Sequence, residues 1–220
     1  METVVYVLLV LTSLVSLTFI IERGFALRWR RVVPPEVEAA VESCQGREDV
    51  PMLRRVCEQH PSALSRLLLL AIEHLALPRE ETVSALETRA RHEVVQLERG
   101  LVVLEVAVGV APLLGLVGTI VGMITLFGNI GQAGLGDAAR LAQGIALILN
   151  ATLLGLMIAI PSLIAWSYFN RKVETLAVEM EAICEEFLRR QYRVTRERVS
   201  PGEAVAEAAS PAGRASGRRG

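Results

Sequence analysis

Thr119 and Thr152 lie inside two long apolar stretches of this 220-residue chain, and Asn150 stands two positions before the second. Polar side chains in such surroundings have two uses. They bond a helix backbone, as a lone membrane threonine ordinarily does, or they line a polar path together. Other chemistries find no support. "HEVVQ" (92–96) lacks the second histidine of a zinc-protease helix, and His60, His74 and His92 show no ligand spacing. No Gly-Lys-Ser/Thr follows the glycines of "GLVGTIVG", and no nucleophile stands beside a base. Glu105 is the only acid in the apolar runs, near the start of its own, where a bridge to a neighbouring subunit suits it better than proton carriage. The expectation is no catalytic residue, no metal and no cofactor, in a protein that is not an enzyme.

Three apolar runs must position these side chains. Residues 4–21 and 144–168 carry no charge, and residues 101–127 carry only Glu105. Each suits the ~20 residues a helix needs to cross ~30 Å of hydrocarbon. The first run lacks the basic start and small-x-small cleavage site of a secretory signal, so it is read as a retained span. The expected fold is an all-α integral membrane protein with three transmembrane helices, spans two and three extending into long cytoplasmic stalk helices.

Orientation follows from flanking arginines. Arg23, Arg28, Arg30 and Arg31 follow span one, and Arg171 and Lys172 follow span three, whereas residues 128–143 hold only Asp137 and Arg140 as charges. Positive residues stay on the cytoplasmic side. The expected layout is therefore span one over 1–21 with the N-terminus periplasmic, a cytoplasmic helical region over 22–100, and span two over 101–127. A periplasmic loop over 128–143, span three over 144–169, a cytoplasmic C-terminal helix over 170–195 and a disordered tail over 196–220 complete it. The net charge of −1 makes no case for nucleic acid, and topology and lipid headgroups account for the arginines near residue 30. Cys44, Cys57 and Cys184 all fall on the cytoplasmic side, an odd count that suits free thiols.

The soluble segments read as helices. "SALSRLLLLAIEHLAL" (62–77) ends at Pro78, and "PREE" supplies a helix start. Val83, Leu86, Ala90, Val94, Leu97 and Leu101 then recur at steps of three and four, running into span two without a breaker. Val173, Leu176, Met180, Ile183 and Phe187 repeat the pattern after span three. Two helices of roughly 50 residues, about 75 Å each, are expected. From Arg196 the composition turns to Pro, Gly, Ala, Ser and Arg without periodicity.

Small residues fill the spans at helical spacing. Ala107, Ala111, Gly115 and Thr119 step by four, as do Gly118 and Gly122, and Ala151, Gly155 and Ala159 form a matching row. Such rows let helix backbones approach closely in lipid, and by themselves they predict a bundle or oligomer. With the spans centred near Leu114 and Leu156, Thr119 and Thr152 lie about 7 and 6 Å toward the outside, at one depth. Pro112 and Pro161 match in the other leaflet.

"APLLGLVGTIVGMITLF" (111–127) and "GIALILNATLLGLMIAIPSLIAWSYF" (144–169) resemble the ExbB/TolQ proteins, relatives of the flagellar stator subunit MotA, in the MotA/TolQ/ExbB proton channel family. The resemblance implies an inner-membrane ring subunit, a pentamer in the family, around an ExbD/TolR-like single-span partner that supplies a membrane aspartate. It places the family's two pore threonines on Thr119 and Thr152, and implies that proton flow does work on a TonB/TolA-like transducer or another client. Each proton crossing 100 mV releases roughly 2.3 kcal/mol. One departure stands out. Where the family carries a glutamate five residues before the second threonine, this chain has Leu147. Asn150 either replaces the lost group in part or bonds a neighbouring helix. Two readings follow: a proton-driven ring subunit, or a non-conducting scaffold or passive channel of the same fold.

Overall fold

The computed structural model describes the backbone of residues 2–133 and 138–208 and the side chains of residues 3–128 and 141–193. The described residues form helices and their connections, with no strand. In chain order the helices are α1 (Glu2–Ala26), α2 (Trp29–Val32), α3 (Pro35–Ser43), α4 (Val50–Gln59), α5 (Ala63–Glu73), α6 (Arg79–Glu98), α7 (Leu101–Ala133) and α8 (Ala138–Ala208). Among the described residues, three helices are long and apolar enough to cross a membrane, within Thr3–Ala26, Leu101–Gly128 and Leu141–Arg193, and their most apolar 18 residues have mean hydropathies of 2.6, 2.3 and 2.2. The chain is a multi-pass membrane protein.

Several boundaries differ from the sequence reading, for one reason: hydrophobicity ends with the hydrocarbon, whereas backbone hydrogen bonding continues past it. Helix α1 runs to Ala26, through Glu22 and Arg23, beyond the expected end at 21. Helices α7 and α8 together occupy all of 128–143 except residues 134–137, which lie outside the described residues. Asp137 therefore has no described position, and the Arg140 side chain lies outside the described side chains. Helix α8 continues to Ala208, into the tail expected to be disordered from Arg196; Ala and Glu after Pro201 are good helix formers and extend an existing helix. Residues 209–220 lie outside the described residues.

The expected unbroken helix through span two is jointed. A two-residue turn at Arg99–Gly100 separates α6 from α7. The Arg23 side chain of α1 lies against this turn. Its Nη1 donates to the Leu97 carbonyl at 3.5 Å, its Nη2 pairs with Glu22 at 2.9 Å, and a methyl on Gly100 would lie 2.2 Å from Arg23 Nε. The guanidinium thus reaches a carbonyl left open by the end of α6, a favourable place for a cation.

The chain divides into two compact units. The first comprises residues 1–32 and 91–177. One end of it is held by Leu27, Leu101, Leu104, Phe169 and Val173, with Phe19, Ile20, Leu97 and Trp166 packed around them. The second comprises residues 33–90 and 178–220. Its buried side chains include Val37, Val41, Leu53, Cys57, Leu64, Leu67, Leu68, Met180, Cys184 and Phe187. Local capping fixes these helices. Ser62 accepts from the Ser65 amide at 3.1 Å to start α5, and Arg190 donates to the Glu42 carbonyl at 3.1 Å near the end of α3. All three cysteines are buried and free. Burial pushes the Cys57 thiol up to about 11, with the Glu58 carboxylate adding to the effect.

Candidate functional site: a helix seam and its two flanks

Helices α7 and α8 meet backbone to backbone. A methyl on Gly155 would lie 2.6 Å from the Ala111 carbonyl oxygen, and one on Gly115 would lie 2.9 Å from the Ala151 carbonyl oxygen. Neither position tolerates a side chain without moving a helix. Ala111, Ala151 and Ala159 are buried along the same line, as are Gly118 and Gly122. Gly115, Gly118, Gly122, Gly155, Ala111 and Ala151 therefore meet along the seam, where close packing takes the place of a hydrophobic driving force.

The seam sets the register. Gly155 lies against Ala111, Gly115 against Ala151 and Thr152, Gly118 against Ala151, and Gly122 against Ile148. Thr152 consequently sits opposite Gly115, and Thr119 lies one turn, about 6 Å, closer to the connection between the helices. The two threonines are not level, because glycine contacts, and not the midpoints of the apolar runs, fix the register.

Each hydroxyl finds a carbonyl. Thr119 Oγ1 donates to Leu116 O in its own helix at 2.7 Å, and Thr152 Oγ1 donates across the seam to Gly115 O at 3.3 Å. In an α-helix the Gly115 carbonyl is also the acceptor for the Thr119 amide. One oxygen thus joins the two threonine positions.

Helix α1 covers one flank of this pair. Val5 stands beside Gly118, and Val5 and Tyr6 share a groove with Gly122, Thr125, Leu147 and Ile148. Further along, α1 and α8 border a groove of about 340 Å³ lined by Leu9, Ser13, Ser16, Leu154, Pro161 and Ser162, among others. Leu154 and Pro161 lie about 160° and 180° round α8 from Thr152. On α7, Gly118 and Thr125 lie about 100° and 120° from Thr119. Thr119 opens instead into a hollow with Ile120, Met123, Ile124 and Phe127. Thr119 therefore belongs to the flank that α1 leaves uncovered, and Thr152 stands at the seam beside it.

Asn150 does not join them. Two residues from Thr152 means about 200° round the helix, so the amide stands on the other side of α8, exposed, with no hydrogen bond among the described side chains. Helical geometry thus separates it from the lining that the sequence reading gave it. Leu147 is 60% exposed and borders the α1 groove, so no acid stands in for the family glutamate there. Glu105 is exposed on the first turn of α7. Pro112 is half-buried, and Pro161 lines the α1 groove.

One polar contact escaped the sequence reading. Ser16 and Ser162 are buried and their hydroxyl oxygens lie 2.6 Å apart. Ser162 donates to the Ile158 carbonyl at 2.7 Å, so Ser16 must donate to Ser162. The signal was the continuation of the small row, since Ser162 follows Ala159 by three residues.

The seam lies within a stretch of the chain that matches known proteins. Residues 59–182, more than half of the chain, match the MotA/TolQ/ExbB proton channel family. The chain is similar to a putative biopolymer transport protein ExbB-like 1 of Synechocystis sp., 34% identical over 164 residues, or 72% of this chain and 63% of that protein. It is 34% identical over 116 residues to the biopolymer transport protein ExbB of Aquifex aeolicus, covering 53% of this chain and 78% of that one. With the ExbB of Helicobacter pylori it shares 41% identity over 81 residues, 37% of this chain and 56% of that one. The match thus spans less than two thirds of the first and third of these relatives. Its reach across both seam helices and the segments joining them to the second unit shows that the chain belongs to the MotA/TolQ/ExbB proton channel family.

Proposed function

We propose that the chain is the ring subunit of an inner-membrane complex that couples proton flow to mechanical work or transport across the cell envelope. Copies assemble, as a pentamer by family likeness, with their uncovered flanks toward a central ExbD/TolR-like single-span partner. The partner's membrane aspartate carries the proton, and a TonB/TolA-like transducer receives the work. The N-terminus and the α7–α8 connection lie outside, and the second unit lies in the cytoplasm, in keeping with Arg23, Arg28, Arg30, Arg31, Arg171 and Lys172. The protein is not an enzyme.

One observation carries this reading: Thr119, on the flank that α1 leaves open, and Thr152, across the glycine seam, adjoin through the Gly115 carbonyl. The spans hold no acid at mid-depth, so a carboxylate on another chain is needed to use the ~2.3 kcal/mol per proton per 100 mV. The Thr119→Val, Thr152→Val double variant, co-expressed with the partner, is expected to assemble normally and to lose proton-dependent activity. Full activity in that variant would sink the proposed lining. Leu147, an exposed leucine at the family's glutamate position, favours the second reading of a non-conducting scaffold. Proton flux in liposomes that is no greater for the complex than for empty vesicles would establish it.

A further inference from the structure

Beyond α1 the chain makes a short elbow. Leu27 is fully buried in the cluster with Leu101 and Phe169, and Val32 is buried at the other end. Between these anchors Arg28, Trp29, Arg30 and Arg31 are all exposed, Trp29 at 40%, and Phe25 just before them at 58%. Arg30 lies two residues from Val32, about 200° round α2, so it points away from the buried side.

The charges are uncompensated. Arg23, Arg54 and Arg190 each pair with a neighbouring glutamate. Arg28, Arg30 and Arg31 have no ion-pair partner among the described residues, and the neighbouring acid Glu22 is taken by Arg23. Three free guanidinium groups therefore stand within four residues, next to an exposed indole, immediately beyond a helix able to span the bilayer. An indole favours the headgroup level, and guanidinium groups bind phosphate through paired N–H donors.

We propose that this elbow is a binding site for the phosphate groups of anionic phospholipids, held at the membrane surface by Leu27 and Val32. The proposal rests on the membrane location alone and is independent of proton coupling. Its chemistry is attraction of Arg28, Arg30 and Arg31 to lipid phosphate, with Trp29 seated among the glycerol and ester groups.

The test uses the full chain, purified from bilayers of mixed phosphatidylcholine and phosphatidylglycerol, with retained lipid measured by mass spectrometry. Phosphatidylglycerol is expected to be enriched over its bulk share, by roughly fivefold for each engaged arginine at low salt. The enrichment should shrink as ionic strength rises. The Arg28→Gln, Arg30→Gln, Arg31→Gln variant should retain the bulk ratio, and the corresponding triple lysine variant should keep most of the enrichment. The lysine variant also guards against a fold defect in the first. Equal enrichment in wild type and the glutamine variant would overturn the proposal. So would displacement of the lipid by inorganic phosphate, which would assign the site to a soluble anion. Loss of a co-purifying acidic protein from the glutamine variant, with lipid ratios unchanged, would assign it to a protein partner instead.

Discussion

Thr152 does two jobs with one side chain. Its hydroxyl reaches the Gly115 carbonyl across the seam, and through that carbonyl it adjoins Thr119. Interhelical hydrogen bonds in membranes are worth ~0.6 kcal/mol on average. Thr152→Val should therefore lower thermal stability only slightly, while Thr152→Ser keeps the bond; melting curves in detergent would check both. Gly155 is less forgiving. Its neighbour is the Ala111 carbonyl oxygen, part of a backbone that cannot rotate away. Gly155→Val is expected to destabilise by about 3 kcal/mol or more, in the manner of overpacked cores. Gly109, with nothing within 4 Å of an added methyl, should accept alanine without loss. Equal melting temperatures for Gly155→Val and Gly109→Ala would contradict the seam.

Among the elements, two polar contacts of different kind help tie α1 to the others. The Ser16–Ser162 pair joins it to α8 inside the span, and Arg23 joins it to the α6–α7 turn. A double-mutant cycle on Ser16→Ala and Ser162→Ala should give a coupling of ~0.6 to 1.7 kcal/mol, and complete additivity would deny the bond. Gly100→Leu should displace the Arg23 guanidinium and lower stability, and Arg23→Gln should lose part of the same energy. The two changes together should then cost less than their sum, which thermal melts of the three variants would show. These contacts also mark the limit of what a linear pattern reveals. Steps of three and four exposed the seam because they are local to each helix. Ser16 and Ser162 meet only through tertiary packing, across 146 positions. The joint at Gly100 was hidden because Leu97 and Leu101 keep the apolar stripe continuous across it. The opposed directions of Asn150 and Thr152 were legible from 3.6 residues per turn, whereas which of them meets α7 depends on the packing of the two helices.

At the scale of the whole chain, the two units bury their apolar side chains to different extents. Val4, Leu11, Leu113, Leu153 and Ile164 of the spans are exposed because lipid or other chains surround them. The second unit buries Leu53, Cys57, Leu64, Leu68, Met180 and Phe187, although Met52 and Val178 are exposed. The folded Cys57 pKa stands above the ordinary 9.0, so the native state holds the proton more tightly than the unfolded chain. That contribution to stability is fully present below pH 9.0 and is lost as pH rises toward about 11. Melting temperature measured across this window should fall less steeply for Cys57→Ala than for wild type, and identical slopes would refute the link. The seam carries a last consequence, for motion. A slip of α8 by one position would bring Leu154 or Leu156 to the place of Gly155, where even a methyl carbon collides. Even Ala151 and Ala159, the nearest small residues on that line, are four positions and about 6 Å away, and each carries such a methyl. Helices α7 and α8 are keyed together like a bolt in a slot, so any stroke driven by protons must be made by what moves against them.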